Sequence, residues 1–317
     1  MTPQVPLGSG FGPRTTASDV LGDRRLDGLR VVITGGSAGV GLETTRTLAN
    51  SGARVRVGAR SPAKAEAALA GVPNVEIDSL DLAVPASIDA FAARTLAGGD
   101  PVHILLNNAG IMAVPLARDA RGFESQLATN HIGHFQLTAR LWPALVAARG
   151  ARVVALSSRG HARSGVNFED PHFVRRSYDK WVAYGQSKTA NALFALALDA
   201  RGVGSSIRAF SVHPGAIRDT ELSRSLSADE VRASVEAARM VPAGFKTVAE
   251  GAATSVWCAT SAQLDDCGGV YCEDCDIAIA VPADYPEPRG VRPWACDPEA
   301  AERLWHVSEE WTGARLG

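Results

Sequence analysis

Runs of apolar residues alternate with stretches of helical spacing along most of the chain. Residues 30–33 form a β-rich run that ends in Thr34-Gly35-Gly36. The same pattern predicts strands at 53–57, 75–77, 102–106, 152–156, 207–212 and 269–271. Helices are predicted between them, over 42–50, 62–70, 85–96, 123–148, 181–200 and 247–259. Pro62 sits at a helix start, and Pro143 marks a bend in the longest helix. Strands that are apolar throughout, each followed by a helix, imply a parallel sheet covered on both faces. Seven such strands make one doubly wound α/β domain over 29–281. Residues 1–28 read as an N-terminal arm. Residues 282–317 read as a C-terminal appendage, with prolines at 282, 286, 288 and 293 before a short helix near 298–310.

Composition narrows the class. The 317 residues are 46% hydrophobic and 21% charged, which excludes bulk disorder. A net charge of -2 argues against a nucleic-acid protein held by a basic face and leaves a local basic patch open. The first 14 residues hold prolines and glycines but no apolar run, so no secretory signal is read there. The longest strongly apolar stretch, 190–198, is too short to span a bilayer. These features predict a soluble, cytoplasmic protein. The five cysteines include Cys267, Cys272 and Cys275 in a C-x4-C-x2-C spacing, with Cys296 further on. They faintly resemble an iron–sulfur ligand set, but they read as small packing residues around a buried strand. His103, His131, His134 and His161 keep no ligand spacing with carboxylates or cysteines, and read as polar helix and loop positions.

The first strand meets the first helix through Thr34-Gly35-Gly36-Ser37-Ala38-Gly39-Val40-Gly41. Gly35 permits a tight turn. Gly39 and Gly41 let the helix start approach a pyrophosphate, which meets amide groups and the helix dipole. The loop, with Ser37, Ala38 and Val40, reads as the cradle of a Rossmann-type dinucleotide site. A second string, Gly8-x-Gly10-x-Gly12, follows no strand and opens no helix, and reads as flexible tail. The second strand ends in Ala59-Arg60, with Lys64 four residues on, where NAD sites usually carry an acid. A cation there suits the 2′-phosphate of NADP(H) over NAD(H). The competing reading of Arg60 is a solvated strand end.

Tyr184 and Lys188 stand four apart and share one face of a predicted helix. The chain has only four tyrosines and four lysines, which makes the spacing informative. A fixed ammonium beside a phenol favours phenolate and lowers its pKa, as proton exchange near neutrality requires.

These features belong together. The glycine loop, Asn107-Asn108-Ala109-Gly110 after the fourth strand, Ser157-Ser158 after the fifth, and the Tyr184/Lys188 pair resemble the short-chain dehydrogenase/reductase family over roughly 28–275. Thr129 to Phe135, His213-Pro214-Gly215, the arm near 15–21 and the stretch 269–275 resemble bacterial members of its retinol-dehydrogenase-like branch. The resemblance implies Tyr184 as acid/base, Lys188 as its partner and ribose contact, Ser158 on the substrate oxygen, and Asn130 holding a water toward Lys188. It implies Asp81 and Leu82 at the adenine, Asn108, Ala109 and Gly110 at the ribose, and Pro214, Gly215 and Ile217 along the nicotinamide. The family usually places a threonine four residues after that glycine; here Thr220 is five after it, so its contact is left open.

The expected activity is interconversion of a hydroxyl and a carbonyl on a lipophilic small molecule. The segment 218–246 carries Leu222, Leu226, Val231, Val235, Met240 and Val241 among charges, and reads either as a lid over that substrate or as a docked surface helix. A non-redox enzyme on the same fold, such as an epimerase or lyase, and a cofactor-binding regulator are the alternatives. A homodimer is compatible with the chain.

Overall fold

The computed structural model describes residues 2–217, 221–239 and 244–317, with the backbone alone at 221, 234 and 237–239. Seven strands run parallel: β1 (Arg30–Thr34), β2 (Arg54–Ala59), β3 (Val75–Ser79), β4 (Ile104–Asn107), β5 (Arg152–Leu156), β6 (Arg208–His213) and β7 (Val270–Glu273). An eighth, β8 (Asp276–Ile277), returns antiparallel to β7, and the order is β3-β2-β1-β4-β5-β6-β7-β8. The expected count of seven is corrected by this hairpin. Its two turn residues, Asp274 and Cys275, both have positive φ (52° and 60°), as a two-residue reversal with the sheet's twist demands. Asp-Cys is not the Asn-Gly pair that announces such a turn.

The side chains of the central strands divide between two cores. Val32, Leu105 and Val153 face one way, against α4 (Pro85–Leu96), α6 (Gly133–Ala147), α7 (Lys180–Gly202) and α10 (Pro298–Thr312). Val31, Ile33, Ile104, Leu106 and Val154 face the other, against α1 (Ala17–Leu21), α2 (Gly39–Asn50) and α9 (Val248–Thr260). Two-sided burial is why these strands read as continuous apolar runs. The short α3 (Pro62–Ala68) links β2 to β3, and α8 (Ala228–Arg239) follows β6.

The expected long helix at 123–148 runs without a gap over 125–147, but not with regular α-geometry throughout. It comprises α5 (Ser125–Leu127), a π-helical turn over Ala128–Ile132, and α6, which runs through Pro143. The interruption of regular α-geometry thus lies at Asn130. A Cβ on Gly133 would lie 2.4 Å from the Leu82 carbonyl oxygen, so the glycine lets this turn press against the chain after β3.

Both ends of the chain are tied to the body. The Asp276 carboxylate accepts the amides of Leu7, Gly8 and Ser9 at 2.8, 3.0 and 3.2 Å. Gln4 Nε2 donates to the carbonyls of Tyr271 and Ala278. The glycine string expected to be flexible is therefore an extra layer on the β7–β8 edge. At the other end, Leu304 and Trp305 of α10 enter the first core, where Trp305 meets Phe135 edge-on at 4.9 Å.

Candidate active site

The sheet order reverses between β1 and β4, and a cleft of about 1450 Å³ opens beyond the carboxyl ends of the strands there. Gly35 has φ of +64°, and a Cβ on it would lie 2.9 Å from Ala109 Cα. A Cβ on Gly41 would lie 2.2 Å from the Gly35 carbonyl oxygen. The loop therefore closes only with glycine at both positions. No side chain caps α2, whose N-cap is Ala38, so its first amides face the cleft. Ser37, Gly39 and Val40 line the same wall.

Where β1 and β4 part, buried backbone groups need partners. Thr34 supplies them. Its Oγ1 accepts the amides of Asn108 and Ala109 at 3.0 and 2.9 Å. It meets His134 Nε2 at 2.7 Å, and His134 Nδ1 meets the Asn130 carbonyl at 2.9 Å. A carbonyl can only accept, so Nδ1 carries the proton and Nε2 receives the Thr34 hydroxyl. Asn130 continues the chain. Its Oδ1 accepts the Ile111 amide at 2.8 Å, and its Nδ2 donates to the Ile111 carbonyl and to Ser187 Oγ, each at 2.9 Å. Ser187 in turn donates to the Tyr184 carbonyl at 2.8 Å. The Asn130 side chain thus fixes the β4 loop and the tyrosine helix relative to one another.

Tyr184 and Lys188 lie on α7, begun by an Asp179 N-cap. Both are buried at the cleft wall. A Cβ on Gly160 would lie 2.6 Å from the Tyr184 ring, so that glycine makes room for the phenol. Ser158 Oγ accepts the Gly160 amide at 3.0 Å, and its hydroxyl is near enough to act on the Tyr184 phenol. Ser157 turns away and donates to the Lys188 carbonyl. Burial pushes the Tyr184 phenol up to about 12, against the Ser158 bond that lowers it. Burial also brings the Lys188 ammonium down to about 7. Its Nζ lies 5.7 Å from the Tyr184 ring centroid and donates to the Leu156 carbonyl at 2.8 Å. In the protein alone burial sets the direction for the phenol, and Lys188 is not among the groups that move it.

The remaining expected cofactor residues share the cleft: Arg60, Asp81, Leu82, Gly110, Pro214, Gly215 and Ile217 all line it. Arg60 and Lys64 are exposed at the far end, beyond β2, with Ala59 where an acid would stand. Open helix amides for a pyrophosphate and two free-standing cations for a 2′-phosphate fit NADP(H). Leu222, Leu226, Val231 and Val235 line the opposite end; Arg218, Asp219, Thr220, Met240 and Val241 lie outside the described residues.

Several positions escaped sequence reading. His134 and His161 are buried, not peripheral. His161 Nδ1 donates to the Ser158 carbonyl at 2.8 Å, and its Nε2 accepts the Arg292 amide at 3.1 Å. Trp294 Nε1 donates to the His161 carbonyl, so the C-terminal segment braces the serine turn. The Arg-Gly-His run after Ser158 was the one available signal.

Comparison with known proteins agrees with this geometry. The model of the short chain dehydrogenase family matches residues 30–231. A Streptomyces lividans protein named "Probable oxidoreductase" is 43% identical, covering 91% of this chain and 99% of its own. Human retinol dehydrogenase 12 is 39% identical over 92% of this chain and 88% of its own. The crystal structure of an uncharacterized protein from Mycobacterium paratuberculosis superposes with a TM-score of 0.74 at 33% identity, covering 96% of this chain and 99% of the other.

Two predictions follow from the buried network. Thr34→Val removes the acceptor for two amides and should lower unfolding free energy by about 1–3 kcal/mol, measured by urea titration. Burial also holds His131 down to about 3, and His134, His161 and His172 down to about 4. The unfolded chain then takes up protons first as pH falls. Stability present above about pH 6.5 should be lost as pH falls through about 4. Glu273, raised by burial to about 7, and Glu124, also raised by burial, act in the opposite sense, against six lowered histidines with His103 and His213 included. Urea midpoints at successive pH values should fall steadily across that window; a flat profile contradicts the neutral-histidine assignment.

Proposed function

The chain belongs to the short-chain dehydrogenase/reductase family, and from that membership we propose that it is an NADP(H)-dependent oxidoreductase interconverting a hydroxyl and a carbonyl on a lipophilic small molecule. The family makes it an NAD(P)-dependent dehydrogenase/reductase. The observation that carries the finer reading is the joining of two features in one cleft: the glycine cradle with Arg60 at one end, and Ser158, Tyr184 and Lys188 beside an apolar wall at the other.

In this reading Ser158 and Tyr184 together receive the substrate oxygen. The Ser158 oxygen is already engaged by the Gly160 amide, which leaves its hydrogen to donate. The Tyr184 hydroxyl gives its proton to the forming alkoxide in reduction, and takes it back in oxidation. The nicotinamide, when bound, supplies or accepts the hydride. A phenol held protonated by burial suits the acid role directly. The base role needs added positive charge nearby, which Lys188 supplies when protonated. Both titrations are shifted by burial toward the neutral form, so the resting pair keeps its proton on the phenol, ready for the acid role. The apolar residues of α8 and the preceding turn exclude water from the reacting atoms.

Among the described residues no helix is long and apolar enough to cross a membrane. We read the enzyme as cytoplasmic.

Tyr184→Phe should lower kcat for carbonyl reduction by about 10²–10⁴-fold while NADPH binding, followed by cofactor fluorescence, stays near wild type. Retained turnover would remove the tyrosine from the mechanism. Arg60→Asp should shift the kcat/KM preference from NADPH toward NADH, and an unchanged preference would take Arg60 out of the cofactor account.

A further inference from the structure

The substrate end of the cleft holds positive charge that the protein does not neutralise. Arg159 follows Ser158 directly and lines the cleft. Among the described residues its guanidinium has no carboxylate at ion-pair distance and no hydrogen-bond acceptor; Glu273 and the Tyr271 phenol act on it only from further off. Arg163, four residues on, lies over the Trp181 ring at 5.1 Å and also lines the cleft. The two cations repel one another.

The neighbouring elements do not offset them. On α7 and α8, Lys180 and Glu230 pair at 2.5 Å. After β6 and β7, Lys246 and Asp274 pair at 2.5 Å. His213 at the end of β6 is kept neutral by burial, and burial favours the protonated form of Glu273 at the end of β7. Arg60 and Lys64 stand at the opposite end of the cleft, beyond β2. Arg159 and Arg163 thus share the cleft with Leu222, Leu226, Val231 and Val235, and Arg224 of the same segment adds a further cation.

We propose that the substrate is an amphiphilic carboxylate: an apolar carbonyl compound or alcohol whose carboxylate is received by Arg159 and Arg163 while its apolar body lies under α8. The proposal rests on the reading of this cleft as a carbonyl/hydroxyl redox site. A carboxylate matches the planar guanidinium fork, relieves the repulsion between the two arginines, and lets Arg163 keep its stack on Trp181. A neutral lipid of the same length leaves half-buried Arg159 and exposed Arg163 without an anionic partner.

Binding and turnover separate the two claims. Calorimetric titration of the NADP⁺-loaded enzyme with decanoate and with methyl decanoate should show the acid binding tighter by about ten- to hundred-fold. Arg159→Leu should abolish that difference, Arg159→Lys should keep part of it, and Arg163→Leu should reduce it. In the coupled assay, the kcat/KM ratio of 10-oxodecanoate to decanal should fall about ten-fold or more in Arg159→Leu, through KM. Equal affinity of the wild type for acid and ester overturns the proposal, as does a decanoate affinity unmoved by substitution of both arginines. Thermal unfolding of each variant checks its fold, and the wild-type acid-to-ester comparison decides the matter even if Arg159→Leu does not fold. Arginine-dependent decanoate binding with no turnover of any carbonyl would strike down the redox reading and leave the carboxylate site standing. Turnover of decanal and 10-oxodecanoate alike would do the reverse.

Discussion

The site depends on how buried backbone groups are satisfied where the sheet order reverses. When β1 and β4 part, the amides of Asn108 and Ala109 lose their place in the ladder. The Ala109 amide would cost about 1–3 kcal/mol if left unpaired, and the Asn108 amide would keep only the Leu106 carbonyl at 3.0 Å. Thr34 takes both, passes its own hydrogen to His134, and His134 passes its Nδ1 hydrogen to the Asn130 carbonyl. From Asn130 the bonds reach Ile111, Ser187 and the backbone of Tyr184. One hydroxyl thereby sets the position of the glycine cradle, the β4 loop, the π-helical turn and the tyrosine helix relative to each other. The polarity of the chain allows one pattern of donors, because its two ends are an amide and a carbonyl. A buried network with every member satisfied specifies a single arrangement, whereas a half-satisfied one costs more than an apolar core.

The same low-polarity setting shapes the acid–base pair. A phenol pushed up and an ammonium brought down are the two halves of one effect, since burial penalises every charged form. It follows that the protein alone stores the tyrosine as a proton donor. Any charge placed in the cleft then acts with little screening, so a bound cationic or anionic group shifts these titrations far more than the same group would in water. The Leu156 carbonyl, which accepts from both Lys188 Nζ and Asn191 Nδ2, holds the ammonium nearby without neutralising it.

The parallel strands, their order of function and the cofactor half of the site were legible because the ligand there is met by backbone. A pyrophosphate needs close amides, close amides need glycine, and glycine at fixed spacing before a helix leaves a mark. The Tyr184 and Lys188 pair was legible for a similar reason: one helix face imposes one spacing. What was not legible depends on partners far apart in sequence. His134 looked like a polar helix position because nothing local shows that Thr34, a hundred residues earlier, faces it. The π turn at Asn130 was hidden behind Pro143, which carries the louder local signal. The β7–β8 hairpin was missed because Asp274 and Cys275 adopt positive φ without the residues that favour it. The glycine-rich tail looked free because its acceptor, Asp276, lies at the other end of the chain.

The substrate half resists reading for a deeper reason. An apolar wall can be built from any aliphatic side chain at any loose helical spacing, so Leu222 or Val231 carries no signature beyond its hydrophobicity. Its precision comes from outside the wall. His161 holds the Ser158 carbonyl, Arg292 holds His161, and Trp294 holds the carbonyl of His161 in turn. Arg292 is itself fixed by the carbonyls of Arg289, Tyr285 and Glu287. Ser158 is thus positioned by a segment more than a hundred residues away, outside the span matched by the family model. The glycine cradle lies inside that span and the brace on Ser158 outside it, so the two ends of one cleft are held by different parts of the chain.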